Sequence, residues 1–188
     1  MKYKDIRGQL KTGDVLLFSG TGLISSLVQW WTGSKWSHVA LVVKSEDIDA
    51  VFCFESTTIS SVLDITTGSK ARGVQLTPLS SRIKSVKGEV YIKRLEKELF
   101  PEQKKAFFKL MINFRGRGYE SDKMQLLRGG ANTKEDLSTI FCSELVAATL
   151  KGCGLLDESR ASNSYYPKAF AGPLQLIDNS LLALQSIE

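Results

Sequence analysis

The apolar positions fall into short blocks separated by polar punctuation, and the spacing inside the blocks changes along the chain. Lys11-Thr12-Gly13-Asp14 is a turn signal, and the apolar run at 15–18 behind it reads as a strand. After Gly20-Thr21-Gly22, apolar residues at 23, 24, 27, 28, 30 and 31 predict one or two turns of buried helix. Residues 39–43 are all apolar and mostly β-branched, the pattern of an interior strand. A polar loop at 44–49 leads to a second strand at 51–55. The Ser, Thr and Gly of the 60s and early 70s predict an irregular connection, followed by strands at 73–76 and 89–94. Pro101 suits the first turn of a helix, and 102–114 carries apolar residues at helical spacing until Gly116 and Gly118. Residues 129–136 read as a loop. A compact apolar helix at 141–150 is stopped by Gly152 and Gly154, and the tail ends in an apolar stretch near 181–184. Strands gathered ahead of helices predict an α+β fold rather than alternating β-α-β.

Composition narrows this reading without redirecting it. The chain has 188 residues, 43% hydrophobic and 24% charged, which suits one domain over 1–188 with a real core. Met1 to Gln9 has no apolar stretch behind its basic residues, and no apolar run nears the ~18 residues that span a bilayer. A cytoplasmic location is expected. Three cysteines, 53, 142 and 153, form no C-x-x-C pair, and with a single histidine they argue against a structural zinc site. No metal or cofactor is expected. The net charge is +5, but Lys and Arg are scattered and usually stand beside Asp or Glu. That is a solvated surface rather than the clustered footprint of a specific nucleic-acid binder.

Candidate chemistry centres on Cys142. It opens a predicted helix, where unpaired N–H groups and the helix dipole favour a thiolate and can also receive an oxyanion. Free cysteine is also among the most buried residue types, so on helix position alone packing is the stronger account. Cys53 and Cys153 have no such setting. His38, the sole histidine, stands at the entrance to the interior strand and is the one imidazole available as a base. If the strands at 38–43 and 51–55 form a hairpin with pairs 42–51, 40–53 and 38–55, Glu55 lies directly opposite His38. It would then orient the imidazole as the third member of a triad does. A one-residue slip would instead turn Glu55 to the other face.

Gly13-Asp14-Val15-Leu16-Leu17-Phe18, Ser37-His38-Val39-Ala40-Leu41-Val42-Val43, Phe54-Glu55 and Phe141-Cys142-Ser143-Glu144-Leu145-Val146 together resemble the permuted papain-like hydrolases. This is the NlpC-related, YiiX-like group, with the lecithin–retinol acyltransferase family as distant kin. In that group the histidine strand precedes the cysteine helix, as His38 precedes Cys142 here. The resemblance runs from about residue 10 to residue 155. It implies a central antiparallel sheet packed against the nucleophile's helix, with Cys142 as nucleophile, His38 as base and Glu55 as orienting residue. Gly118-Tyr119-Glu120 is similar to a cleft segment of such proteins, which makes Tyr119, with Trp36 and Ser37, a candidate for substrate contact. The implied reaction is hydrolysis of a peptide, amide or acyl bond through a Cys142 thioester, without metal or cofactor. The Trp30-Trp31 pair and Trp36 could wall an acyl chain or simply fill a core. Two rivals remain: a lipid acyl hydrolase or acyltransferase of the same fold, and a binding module that has lost turnover.

Overall fold

A computed structural model describes residues 1–58, 61–70, 72–118 and 141–188. The β-branched blocks become strands of one six-stranded antiparallel sheet, ordered β4-β3-β2-β1-β5-β6. The strands are β1 (Val15–Gly20), β2 (His38–Ser45), β3 (Ala50–Thr57), β4 (Gly73–Pro78), β5 (Gly88–Lys93) and β6 (Gln185–Ile187). The helices are α1 (Tyr3–Ile6), α2 (Leu23–Thr32), α3 (Leu79–Ser85), α4 (Pro101–Phe114), α5 (Cys142–Gly152) and α6 (Pro167–Ala171).

The unbroken apolar run of β2 follows from cover on both faces. Val39, Leu41 and Val43 point into a core shared with Phe107 of α4 and with Leu145, Val146 and Leu150 of α5. Ala40 and Val42 point the other way, against Leu79 of α3 and Ile6 of α1. The sheet therefore lies between the long helices and a thinner layer of short ones. Antiparallel pairing also needs backbone access at its turns. Gly88 has φ +142°, and a Cβ there would run into the Ser19 carbonyl, so glycine is what lets β5 close on β1.

Two expectations need correction. The β2–β3 register pairs Leu41 with Phe54, Val42 with Cys53 and Val43 with Phe52. This lies two residues away from the expected 42–51 alignment. Because a strand repeats every two residues, an even slip keeps every side chain on its expected face. The second correction concerns α2. It runs the full ten residues 23–32, yet Leu27 and Trp30 are not buried, at 51% and 82% exposure. Its apolar spacing was real, but Gln29 and Thr32 are among the residues that face the body of the protein. The tail after Pro173 is ordered against the sheet: Leu181 bridges Leu95, and β6 pairs with β5. Tyr3 N–H donates to the Glu188 carbonyl at 2.8 Å, so the two ends of the chain meet.

Candidate active site

β1 and β2 set the first residue of the site. Phe18 pairs across the sheet with His38, and their ring centroids are 5.1 Å apart. Ser37 pins this corner, with its hydroxyl donating to the Phe18 carbonyl (3.2 Å) and accepting the Gly20 N–H (3.0 Å). The imidazole is thereby held at the entrance to β2, its side chain 14% exposed.

β3 supplies Glu55, which is fully buried. His38 Nε2 donates to Glu55 Oε2 at 2.6 Å. The observed register, continued by one pair, sets Glu55 opposite Ala40. His38 is then its diagonal neighbour on the same face, within reach of long side chains. Glu55 Oε1 faces two further donors: Arg82 Nε at 2.6 Å and Gln75 Nε2 at 3.1 Å. Arg82 comes from α3, is itself 4% exposed, and lies 4.8 Å from the centroid of the Phe18 ring. Gln75 is the residue of β4 paired with Glu55.

Burial alone would raise the Glu55 carboxyl. The Arg82 charge, with the His38 and Arg82 hydrogen bonds, outweighs burial and holds the carboxyl at about 2. Glu55 is therefore a fixed negative charge at any ordinary pH. It keeps the His38 Nε2 proton in place and leaves Nδ1 as the ring nitrogen for a third partner.

That partner is Cys142, the first residue of α5, 7% exposed. Phe141 is extended as the N-cap, and Glu144 in the first turn accepts its N–H at 3.4 Å. Burial pushes the thiol up. The charge and hydrogen bond of His38, and the N–H groups of Val39 and Ser143 on the sulfur, together pull it below its ordinary 9.0. Burial likewise works against charge on His38. The Cys142 charge and hydrogen bond, and then Glu55, overcome it and raise the imidazole to about 9. The two shifts have opposite sign and share a cause, the charge and hydrogen bond that each group presents to the other. The other thiols differ: burial raises Cys53 well above its ordinary value and Cys153 to about 12.

The remaining expected residues separate. Trp36 is buried with its indole edge-on to Tyr91 at 5.0 Å, and Ser37 is engaged with Phe18 and Gly20. Both shape the corner beneath His38. Tyr119 and the 129–136 loop lie outside the described residues. Arg82 and Gln75 were absent from the sequence reading. The available signal was Leu79, Arg82 and Ile83 at helical spacing just after Pro78.

The fold places the chain in a class: an α+β protein with a YiiX-like fold. The particular likeness is to the crystal structure of metalloprotein YiiX from Escherichia coli O157:H7, with a TM-score of 0.58 and 17% sequence identity. It covers 96% of this chain and 97% of that one. At this identity the likeness is one of fold. No protein-family model and no curated protein matches the sequence. Among the described residues, no three His, Cys, Asp or Glu side chains converge as metal ligands. Both Glu55 oxygens are occupied by His38, Arg82 and Gln75, and the Arg82 guanidinium beside them opposes a cation. The described donor set does not fit a metal at this site.

Proposed function

We propose that the protein is a cysteine-dependent hydrolase with a permuted papain-like arrangement, acting on an amide, peptide or other acyl bond. The single observation that carries this reading is the chain of contacts from Cys142 through His38 to Glu55, with His38 and Glu55 2.6 Å apart. The order of the elements, histidine strand before cysteine helix, supports it as well.

In this mechanism the Cys142 thiolate adds to the substrate carbonyl carbon, and the C=O electron pair moves onto oxygen. N–H groups of the first turn of α5 receive that oxyanion. The oxyanion collapses to a thioester as the C–N or C–O bond breaks, and His38 Nδ1–H protonates the departing atom. Water then attacks the thioester while His38 takes its proton, releasing the acid and regenerating the thiolate. Glu55 stays ionised throughout and stabilises the imidazolium, and Arg82 prevents Glu55 from taking the proton itself.

The test is a panel of amide, ester and thioester substrates with wild type, Cys142→Ala and His38→Ala. Turnover in wild type that both variants reduce by about a thousandfold or more supports the reading, in line with the loss of a nucleophile or its base. Full turnover in Cys142→Ala removes it.

A further inference from the structure

Helix α2 sets Ser25, Gln29 and Thr32 towards the body of the protein and turns Leu27 and Trp30 outward. Gln29 Nε2 donates to the carbonyls of Gly20 (3.1 Å) and Lys35 (2.8 Å). Thr32 is buried, its hydroxyl on the Val28 carbonyl at 2.7 Å, and its own carbonyl accepts Lys168 Nζ at 2.8 Å. The Ser25 hydroxyl lies against Gly20. Leu27 and Trp30, one turn apart, project outward at 51% and 82% exposure. A surface helix whose role is packing does the reverse.

We propose that the outward face of α2 docks onto an anionic lipid bilayer, lying in the headgroup region. A helix of ten residues is about 15 Å long, too short to span and suited to lying flat. An exposed indole next to a leucine is the pairing that seats at the boundary between headgroups and acyl chains. The helix carries no charged residue of its own, so nothing ionic enters the apolar layer with it. Its ends are basic. Thr21, ahead of the first turn, holds the carbonyl of exposed Lys87, and exposed Lys35 follows the last turn. Glu89, 3.9 Å from Lys35, is the carboxylate on this rim and offsets part of that charge. The chain's net +5 adds a long-range pull towards a negative surface. α2 also fills the connection between β1 and β2, whose residues Phe18 and His38 are paired. Docking therefore holds the His38 end of the sheet towards the membrane.

The experiment is co-sedimentation of the full chain with phosphatidylcholine vesicles, with and without phosphatidylserine, backed by size-exclusion chromatography. Wild type is expected to sediment with the phosphatidylserine vesicles and to be released by salt. Leu27→Ser/Trp30→Ser should bind about tenfold more weakly or worse while unfolding at the same temperature, because both side chains are exposed. Lys35→Glu/Lys87→Glu should weaken binding without touching the apolar face. Wild type that stays in the supernatant overturns the proposal, as does binding that survives Leu27→Ser/Trp30→Ser. A wild-type dimer that this double variant converts to monomer also overturns it, by giving the face to a second copy of the chain. None of these outcomes depends on Cys142.

Discussion

Glu55 is held by three donors, and this fixes how charge runs through the site. With its carboxyl at about 2 and His38 at about 9, the pair with Cys142 is thiolate–imidazolium from the lowered cysteine value up to about 9. Turnover as kcat/KM should therefore fall as pH rises through about 9, where the imidazolium loses the proton the leaving group needs. It should also fall on the acid side as the thiolate protonates. Stability behaves differently. Between 6.5 and about 9, a raised histidine and a lowered cysteine bind one proton between them in both folded and unfolded chains, so their linkage cancels there. Glu55 has no such compensation. Its depressed value contributes stability in full above 4.5, lost as pH falls through about 2. The denaturant midpoint of wild type should accordingly fall more steeply below pH 4.5 than that of Glu55→Gln. Equal slopes would contradict the assignment. His38 and Cys142 were legible because the chain offers one histidine and one cysteine ahead of an apolar helix. Glu55 was legible through strand alternation, and the real register differed by an even step that alternation does not detect.

At the scale of elements, α3 is the piece that sequence patterning missed and that the site most depends on. Seven residues after a proline give too little periodicity to separate a helix from the loop around it. Its place is fixed by tertiary contacts, with Leu79 in the core and Arg82 against Glu55. Arg82→Met should cost about 3–5 kcal/mol in chemical denaturation, because it removes the guanidinium from a buried carboxylate and leaves it only His38 and the neutral Gln75 amide. Glu55→Gln/Arg82→Met should lose less than the sum of the two single variants, since neither buried charge is then left alone. Additive losses would mean the pair is not coupled. α2 shows the opposite failure. Its apolar spacing predicted the helix correctly but pointed to burial, because periodicity identifies a face and not what covers it. Gly88→Ala tests the sheet in the same way. A Cβ against the Ser19 carbonyl should loosen β1–β5 pairing, seen as faster hydrogen exchange at those amides.

The molecule as a whole is an α+β sheet whose class was visible in the order of its apolar blocks, while its closure was not. Nothing in the 181–184 stretch or the last residues says that the chain returns across the sheet to pair with β5. That pairing depends on contacts between residues nearly a hundred positions apart, such as Val90 with Ile187. β6 covers the outer edge of β5, and Ile187 is 2% exposed. Deleting residues 185–188 should lower stability by about 1.5–3 kcal/mol from Ile187 alone. It should also raise aggregation, by exposing a strand edge, as followed by light scattering. A deletion variant as stable and soluble as wild type would show that β6 is dispensable. Among the described residues no helix is long and apolar enough to cross a membrane.

The most direct test of the account is the alkylation rate of Cys142 by iodoacetamide against pH, in wild type and in His38→Ala. Wild type should react with an inflection below pH 9, because His38⁺ favours the sulfur as thiolate. In His38→Ala the inflection should move upward, towards or beyond the ordinary value of 9.0. Matching inflections in the two proteins, or a wild-type inflection at the ordinary value, would contradict the Cys142–His38 pair.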